Sequence, residues 1–360
     1  MVNILENIFS VSDENNHKLI KIFGIKAKFY NYLENCGELP DRYFGIINKY
    51  RFEDFFHLHH HLFDYLIMYN PDWTENIINY LNNMELIGFS LGLKPVIPVM
   101  DFNITTRCTL RCKECGSMMP FYSNEQQYTI DFKQFKKDLD KLLGCVRKIY
   151  KIKLIGGEPL LVKDLEKMLE YACKKRKILR VEITTNGTII PSDKLLEIAK
   201  KYRKKCSFNV SNYSSNKELK NLHCNEVIEK LEENNIFHIH SDYTWQRRGF
   251  IIKQNRCKND IKRCFEKCWQ NWCTSVLDGK FYLCTRAAAI HRLAGYNFMQ
   301  DEFIDIRKES VRKARKKIIE FYRKDYFSVC DFCEECFHVK VPRAEQTKET
   351  FIIGRKYDDK

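Results

Sequence analysis

The rhythm of apolar and polar positions changes near residue 96. From there to about residue 245, short apolar runs rich in β-branched residues alternate with longer stretches whose apolar residues recur every three or four positions. The runs at 96–105, 149–155, 179–184, 206–210 and 236–240 read as buried strands. Branched side chains fit a pleated surface, and a strand covered on both faces needs no polar face. The stretches at 129–144, 162–175, 192–202 and 217–234 read as amphipathic helices. This alternation predicts an α/β unit on a parallel sheet with right-handed crossovers. Five or six strands are visible, too few for a closed eight-stranded barrel.

Either side of this unit the pattern differs. Residues 1–95 are aromatic, Asn-rich and mostly helix-like, which predicts a helical N-terminal accessory domain. Within it, His57, His59, His60 and His61 crowd together, with His57 and His61 at i, i+4. That spacing can bind a metal, but no carboxylate or cysteine pattern completes a site, so surface histidines are the expectation. Residues 251–345 are less regular and cysteine-rich and predict a third unit. Residues 346–360 read as a polar, peripheral tail. The expected division is therefore 1–95, 96–250, 251–345 and 346–360.

Composition narrows the chemistry. The net charge of +14 is spread out, richest at 133–153, 174–177 and 307–324. The last stretch carries Val311, Ala314, Ile318, Ile319 and Phe321 at helical spacing, as a solvated amphipathic helix would. Such a surface suits an anionic small molecule. No basic motif interleaved with aromatics is present, so nucleic acid is not an expected partner. There is no signal peptide pattern and no apolar run of membrane-spanning length, which predicts a cytoplasmic protein. In a reducing compartment sixteen cysteines point to metal or redox work.

The cysteines concentrate that expectation. Cys108, Cys112 and Cys115 stand at C-x3-C-x2-C spacing on the loop leaving the 96–105 strand, where α/β proteins carry chemistry. Three thiolates are an incomplete set for a [4Fe–4S] cube and leave one iron open. One βα unit later, Gly156-Gly157-Glu158-Pro159 ends the next strand. Its glycines let backbone approach a ligand closely, and a carboxylate accepts strongly from an ammonium group.

These two motifs together resemble the radical S-adenosylmethionine (radical SAM) superfamily. The resemblance implies an incomplete (β/α)6 TIM-like barrel and a [4Fe–4S] cluster whose open iron binds the amino and carboxylate groups of SAM. It implies that Glu158 accepts from the methionyl amine beside Gly156, Gly157 and Pro159. It implies that Thr185, Asn186, Asn209 and Ser211, at the next two strand ends, sit near the ribose. It also implies an external electron donor such as flavodoxin or ferredoxin. One residue departs from the family pattern: Glu114 precedes the third cysteine, where an aromatic residue is frequent, which puts the adenine contact in doubt.

A second cysteine set lies downstream. Residues 274–283 read as a hairpin around Asp278-Gly279, a register that puts Cys273 opposite Cys284. Cys268, Gly279, Cys284 and the later Cys330-x2-Cys333 resemble the SPASM and twitch auxiliary-cluster domains. One auxiliary [4Fe–4S] cluster is expected, held by four of Cys268, Cys273, Cys284, Cys330 and Cys333, with Cys336 as an alternative. A zinc ribbon on the same hairpin is the rival. Catalytic residues are not identified; Arg286, His291 and Tyr243, with Trp245, Arg247 and Arg248, are placed to reach a barrel mouth.

The resulting expectation is an enzyme that cleaves SAM reductively to a 5′-deoxyadenosyl radical and takes a hydrogen atom from a small, polar, carbohydrate-like substrate. The rival is peptide or protein modification. A leader-binding N-terminal domain, typically a winged helix with a three-stranded sheet, would favour it, and the helix-like reading of 1–95 speaks against it. A non-catalytic iron–sulfur or zinc-stabilised binding protein would keep the cysteines but has no use for Gly156-Gly157-Glu158.

Overall fold

The computed structural model describes residues 95–349 apart from 269, 271–272, 296–301 and 335–338, and before these the backbone of 9–14, 17–22, 25–30, 42–43 and 47–48. The clustered histidines and Cys336 lie outside the described residues. The chain divides into two compact units, Met1–Tyr43 and Phe44–Lys360.

In the first unit, β1 (Phe9–Glu14), β2 (His17–Ile22) and β3 (Ile25–Tyr30) form an antiparallel three-stranded sheet. Phe9 pairs with Ile22, and His17 with Tyr30. Strand here, where helix was expected, has a local cause. Ile25, Ala27 and Phe29 alternate with Lys26, Lys28 and Tyr30, a period of two. Two short strands follow, β4 (Arg42–Tyr43) and β5 (Ile47–Asn48).

The second unit is α/β, built on a mostly parallel sheet. Its parallel strands are β6 (Val96–Thr105), β7 (Lys148–Gly156), β8 (Ile178–Thr185), β9 (Cys206–Ser211) and β10 (His238–Ser241). They are joined by α1 (Phe132–Cys145), α2 (Leu165–Cys173), α3 (Asp193–Lys201) and α4 (Cys224–Glu233). Every residue of β6 is buried, as a largely apolar strand covered on both faces is, with Asp101, Asn103 and Thr105 buried among the apolar residues. Asp131 caps α1 by accepting from Gln134 N at 2.8 Å, and Phe135, Leu139 and Leu142 form its buried stripe. Phe135 meets Phe102 of β6 edge-on at 5.1 Å. Helix α4 starts at Cys224 rather than near 217; the preceding residues are held in turns by Asn212 and Asn216, whose side chains accept from Ser214 N and Glu218 N.

The remaining elements are β11 (Trp245–Gln246), α5 (Lys258–Lys267), β12 (Cys273–Leu277), β13 (Lys280–Tyr282), α6 (Thr285–Ala294), β14 (Ile304–Asp305), α7 (Val311–Arg323) and β15 (Lys340–Val341). Most strands of the cysteine-rich segment join the main sheet, while β15 pairs with β11 in a two-stranded sheet. Strand β12 pairs in parallel with β6, Cys273 beside Val99, and one sheet runs β10-β9-β8-β7-β6-β12-β13-β14. The expected hairpin is present: Leu277 pairs with Lys280 around Asp278 (φ 48°) and Gly279 (φ 69°), the left-handed pair that a tight hairpin turn requires. Arg307 fastens that turn to α1, with Nη2 2.8 Å from Asp138 and Nη1 2.7 Å from Asp278.

Candidate active site

The cysteine loop leaves β6 at the carboxyl end of the sheet. The pairing of β6 with β7 shifts register between Asn103 and Thr105, an irregularity of the kind that re-aims a strand end beside a site. Beyond it the backbone N–H groups of Gly157 and Glu158 donate to Thr105 O (3.0 Å) and Arg107 O (2.8 Å). This approach explains both glycines. A Cβ on Gly156 would lie 2.0 Å from Thr105 O, and one on Gly157 would lie 2.1 Å from Arg107 O and 2.8 Å from Cys108 Cβ. Only glycine fits against the root of the cysteine loop.

Burial pushes the Cys108 thiol up to about 12, and it pushes Cys112 and Cys115 upward too. Cys112 is raised further by its neighbours Cys115 and Cys108. Three close, buried thiols ionise together only beside strong positive charge, which an iron cluster supplies. The sulfurs also meet N–H donors: Leu110 N at 3.4 Å and Asn186 Nδ2 at 3.6 Å from Cys108, Gln346 Nε2 at 3.6 Å from Cys112, and the N–H groups of Ser117, Met118 and Met119 on Cys115. Soft donors ringed by N–H groups fit an anionic iron–sulfur cluster. Among the described residues no three Cys, His, Asp or Glu side chains converge on one metal ion.

A cleft of about 270 Å³ opens over this loop, lined by the three cysteines, Gly156, Gly157, Thr185, Asn186, Asn209 and Ser211. Asn186 Nδ2 donates to Thr109 Oγ1 at 2.9 Å while its Oδ1 accepts from Thr188 Oγ1 at 2.6 Å. Asn209 Oδ1 accepts from Ser241 Oγ. Tyr213 meets Trp245 edge-on at 5.8 Å, and Trp245, Tyr243 and Arg248 complete the mouth. On the floor, Lys153 lies 3.3 Å from Asp101. Burial opposes the lysine's charge, but Asp101 outweighs it and holds the amine protonated.

Several expected residues sit elsewhere. Glu158 is fully buried and does not line the cleft. Its Oε1 accepts from Thr185 Oγ1 (2.9 Å) and Leu160 N (3.1 Å), and its Oε2 from Asn186 N (2.8 Å). Burial raises its carboxyl to about 7 against the pull of those donors. It thus ties the end of β7 to the end of β8. Pro159 starts a short 3-10 turn, Pro159–Leu161, beneath it. Arg286 is 3% exposed, and its Nη2 donates to Gly249 O, Phe250 O and Phe332 O. His291 pairs Nδ1 with Tyr282 Oη at 2.7 Å and stacks on Phe303. Neither reaches the cleft, because both lie on α6 and turn into the packing behind it. Tyr243, 59% exposed, does reach the cleft, and Arg247 donates its backbone N–H to Val339 O.

The distal cysteines sort themselves. Cys330 is raised by burial and then by the charges of Cys268, Cys284 and Cys333. Cys284 caps α6, its sulfur accepting from Ala287 N at 3.4 Å, with the Arg286 guanidinium nearby. Cys273 is not among them. The hairpin pairs only through Ser275–Tyr282, and the Cys273 thiol faces Asp101, Lys153 and Lys151 across the sheet. The ladder thus stops two residues short of the expected Cys273–Cys284 pair, where β13 gives way to α6.

Two contacts had no counterpart in the sequence reading. Glu114 accepts from Arg248 N at 2.9 Å and so joins the cysteine loop to the 248–250 segment that Arg286 grips. Gln346 belongs to the stretch expected to be a peripheral tail, yet residues 345–347 pair with the cysteine loop. No motif in the sequence marks Gln346. Lys151, Lys153 and Asp101 were not singled out either, although charges inside apolar strands are a signal that could have found them.

The Radical SAM superfamily matches residues 102–240. A GTP 3′,8-cyclase from Aquifex aeolicus is 32% identical over 142 residues, 38% of this chain and 43% of that protein. An Fe-coproporphyrin III synthase from Methanosarcina barkeri is 32% identical over 121 residues, 33% of this chain and 28% of that protein. The chain thus spans less than half the length of these curated relatives. Among solved structures, BtrN in complex with AdoMet and 2-DOIA aligns at 16% identity and a TM-score of 0.43, covering 71% of this chain and 98% of that one. SuiB from Streptococcus suis aligns at 12% identity and a TM-score of 0.36, covering 89% and 88%. The strand–helix unit bearing the three-cysteine loop coincides with the segment that matches the Radical SAM superfamily, residues 102–240.

Proposed function

We propose that Cys108, Cys112 and Cys115 hold a [4Fe–4S] cluster, that SAM occupies the cleft above it, and that the chain is an enzyme abstracting a hydrogen atom from a substrate at the mouth. The carrying observation is the packing of Gly156 and Gly157 against the cysteine loop, which brings one strand end to the edge of the thiol set. When bound and reduced, the cluster with SAM supplies the 5′-deoxyadenosyl radical. The chain's own residues orient SAM: Asn209 and Ser211 face the cleft, Thr185 and Asn186 are fixed by Glu158, and the Gly156-Gly157 backbone forms its wall. We assign Cys268, Cys284, Cys330 and Cys333 to one auxiliary [4Fe–4S] cluster, leaving Cys273 out. Anaerobically reconstituted protein with dithionite and SAM is expected to form 5′-deoxyadenosine. If it forms none, or forms as much with Cys112→Ala, the reading is wrong.

For the substrate, the sheet at Phe9–Tyr30 favours peptide modification over the small carbohydrate-like molecule read from the sequence. An outer strand of an antiparallel sheet can take up an extended peptide through main-chain hydrogen bonds. The GTP 3′,8-cyclases among the relatives put a nucleotide third. Deuterium transfer into 5′-deoxyadenosine separates the three. Transfer from deuterated GTP or an aminocyclitol sinks the peptide reading.

A further inference from the structure

Residues 343–349 form a strap along the outside of the cysteine loop. Gln346 bridges Cys112 in antiparallel fashion, Lys113 N donates to Glu345 O, and Thr347 N donates to Arg111 O, both at 2.8 Å. The Arg111 side chain adds bonds to Thr347 O (3.2 Å) and Glu349 O (2.9 Å). At its other end the strap is pinned to the β9 and β10 ends: Asn216 Nδ2 donates to Ala344 O at 2.8 Å, Arg343 Nη1 donates to Asn212 O at 3.2 Å, and Arg343 pairs with Asp242.

Within the strap the Gln346 amide has its orientation dictated by its neighbours. The Arg111 backbone N–H, a donor only, lies 2.8 Å from Oε1. The opposite edge must then present N–H, and Nε2 donates to Ala344 O at 2.7 Å and to Cys112 Sγ at 3.6 Å. Hydrogen bonds to ligand sulfur withdraw negative charge and raise a cluster's reduction potential.

We propose that Gln346 is a positioning residue of the SAM-binding cluster, fixing the Cys112 segment through Oε1 and raising the cluster's reduction potential through Nε2–H on the Cys112 sulfur. This rests on Cys108, Cys112 and Cys115 being cluster ligands. The test is a redox titration of the full chain, followed by the EPR signal that changes on adding SAM, which separates this cluster from any other. Gln346→Met keeps the bulk and loses both polar contacts. Gln346→Glu keeps an acceptor for Arg111 N but loses the donor and adds negative charge. Arg111→Ala loosens the strap and leaves Gln346 in place. The expected order is a potential shifted negative in Gln346→Met, further negative in Gln346→Glu, and little moved in Arg111→Ala. A folded Gln346→Met protein that no longer retains iron on this loop also supports the positioning role. Wild-type potentials in both Gln346 variants, or a shift in Arg111→Ala alone, overturn the proposal, because packing would then be all the strap provides. Loss of the far-UV circular dichroism of the folded chain in Gln346→Met makes it a brace of the fold and overturns it equally. If wild-type protein shows no SAM-responsive signal, the cluster reading fails and takes this inference with it.

Discussion

The two cysteine sets are assembled in different ways. Cys108, Cys112 and Cys115 come from one loop, stand over a cleft, and are surrounded by amide and hydroxyl groups that reach toward the cavity. Cys268, Cys284, Cys330 and Cys333 come from three separate segments, and none of them lines the cleft. Beside them Arg286 is buried and grips backbone carbonyls of Gly249, Phe250 and Phe332. A local set with an open side suits a centre whose ligand must come and go. A dispersed set away from the cleft suits a centre that is never exchanged, and it ties distant parts of the chain together. The same distinction separates open catalytic from closed structural metal sites.

The largest expected effects test that contrast directly. Cys112→Ala should abolish 5′-deoxyadenosine formation, whereas Cys330→Ser should remove the distal iron and leave SAM cleavage in the absence of substrate. If Cys330→Ser also abolishes cleavage, the two sites are not separable. Cys273→Ser, judged by the same iron analysis, should match the wild type, because its thiol faces Asp101 and Lys153. Next comes Gly157→Ala. Its Cβ would meet Arg107 O at 2.1 Å, so the loop must move; a loss of about 1–3 kcal/mol in denaturant unfolding and a marked loss of SAM binding are expected. Gly295→Ala is the control: φ is 60° but nothing lies within 4 Å, so it should cost about 1 kcal/mol and leave SAM binding alone.

The smallest effect concerns His291, whose burial lowers its pKa below the usual 6.5. The unfolded chain then takes up a proton before the folded one does. Stability is therefore full above about 6.5 and falls as the pH drops toward the folded value. His291→Gln should flatten that slope in thermal unfolding followed between pH 7 and 5, and an unchanged slope would show that the imidazole is not the group responsible.

The parallel sheet and the cysteine loop were legible because their signals are local. An apolar run such as 96–105 is buried wherever it lies, and Gly156-Gly157 must meet something close. The Asp278-Gly279 hairpin was legible for the same reason, since two left-handed residues leave few alternatives. The meander at 9–30 was also written locally, in the alternation of Ile25, Ala27 and Phe29 with lysines, but the helix-like composition of the longer region masked it. Glu158, Arg286 and Gln346 were not legible in this sense. Each is placed by a partner distant in sequence, Asn186, Gly249 and Cys112 respectively, and polarity alone does not tell a side chain aimed into a cavity from one aimed behind it.

The pairing of β12 with β6 bears on how the protein is made. Asn103 Nδ2 and Ser275 Oγ, 2.7 Å apart in the sheet, are separated by 172 residues of chain. During synthesis the strand that leads into the cysteine loop emerges early, and one of its hydrogen-bonding edges stays bare until residues 273–277 follow. An open apolar edge of this kind invites wrong pairing, and closing so long a loop slows folding. Chains halted before residue 277 should therefore be aggregation-prone and poor at retaining iron even though all three cysteines of the loop are present. Completion of the sheet, rather than appearance of the ligands, would set the moment at which the nascent chain can be safely loaded with iron.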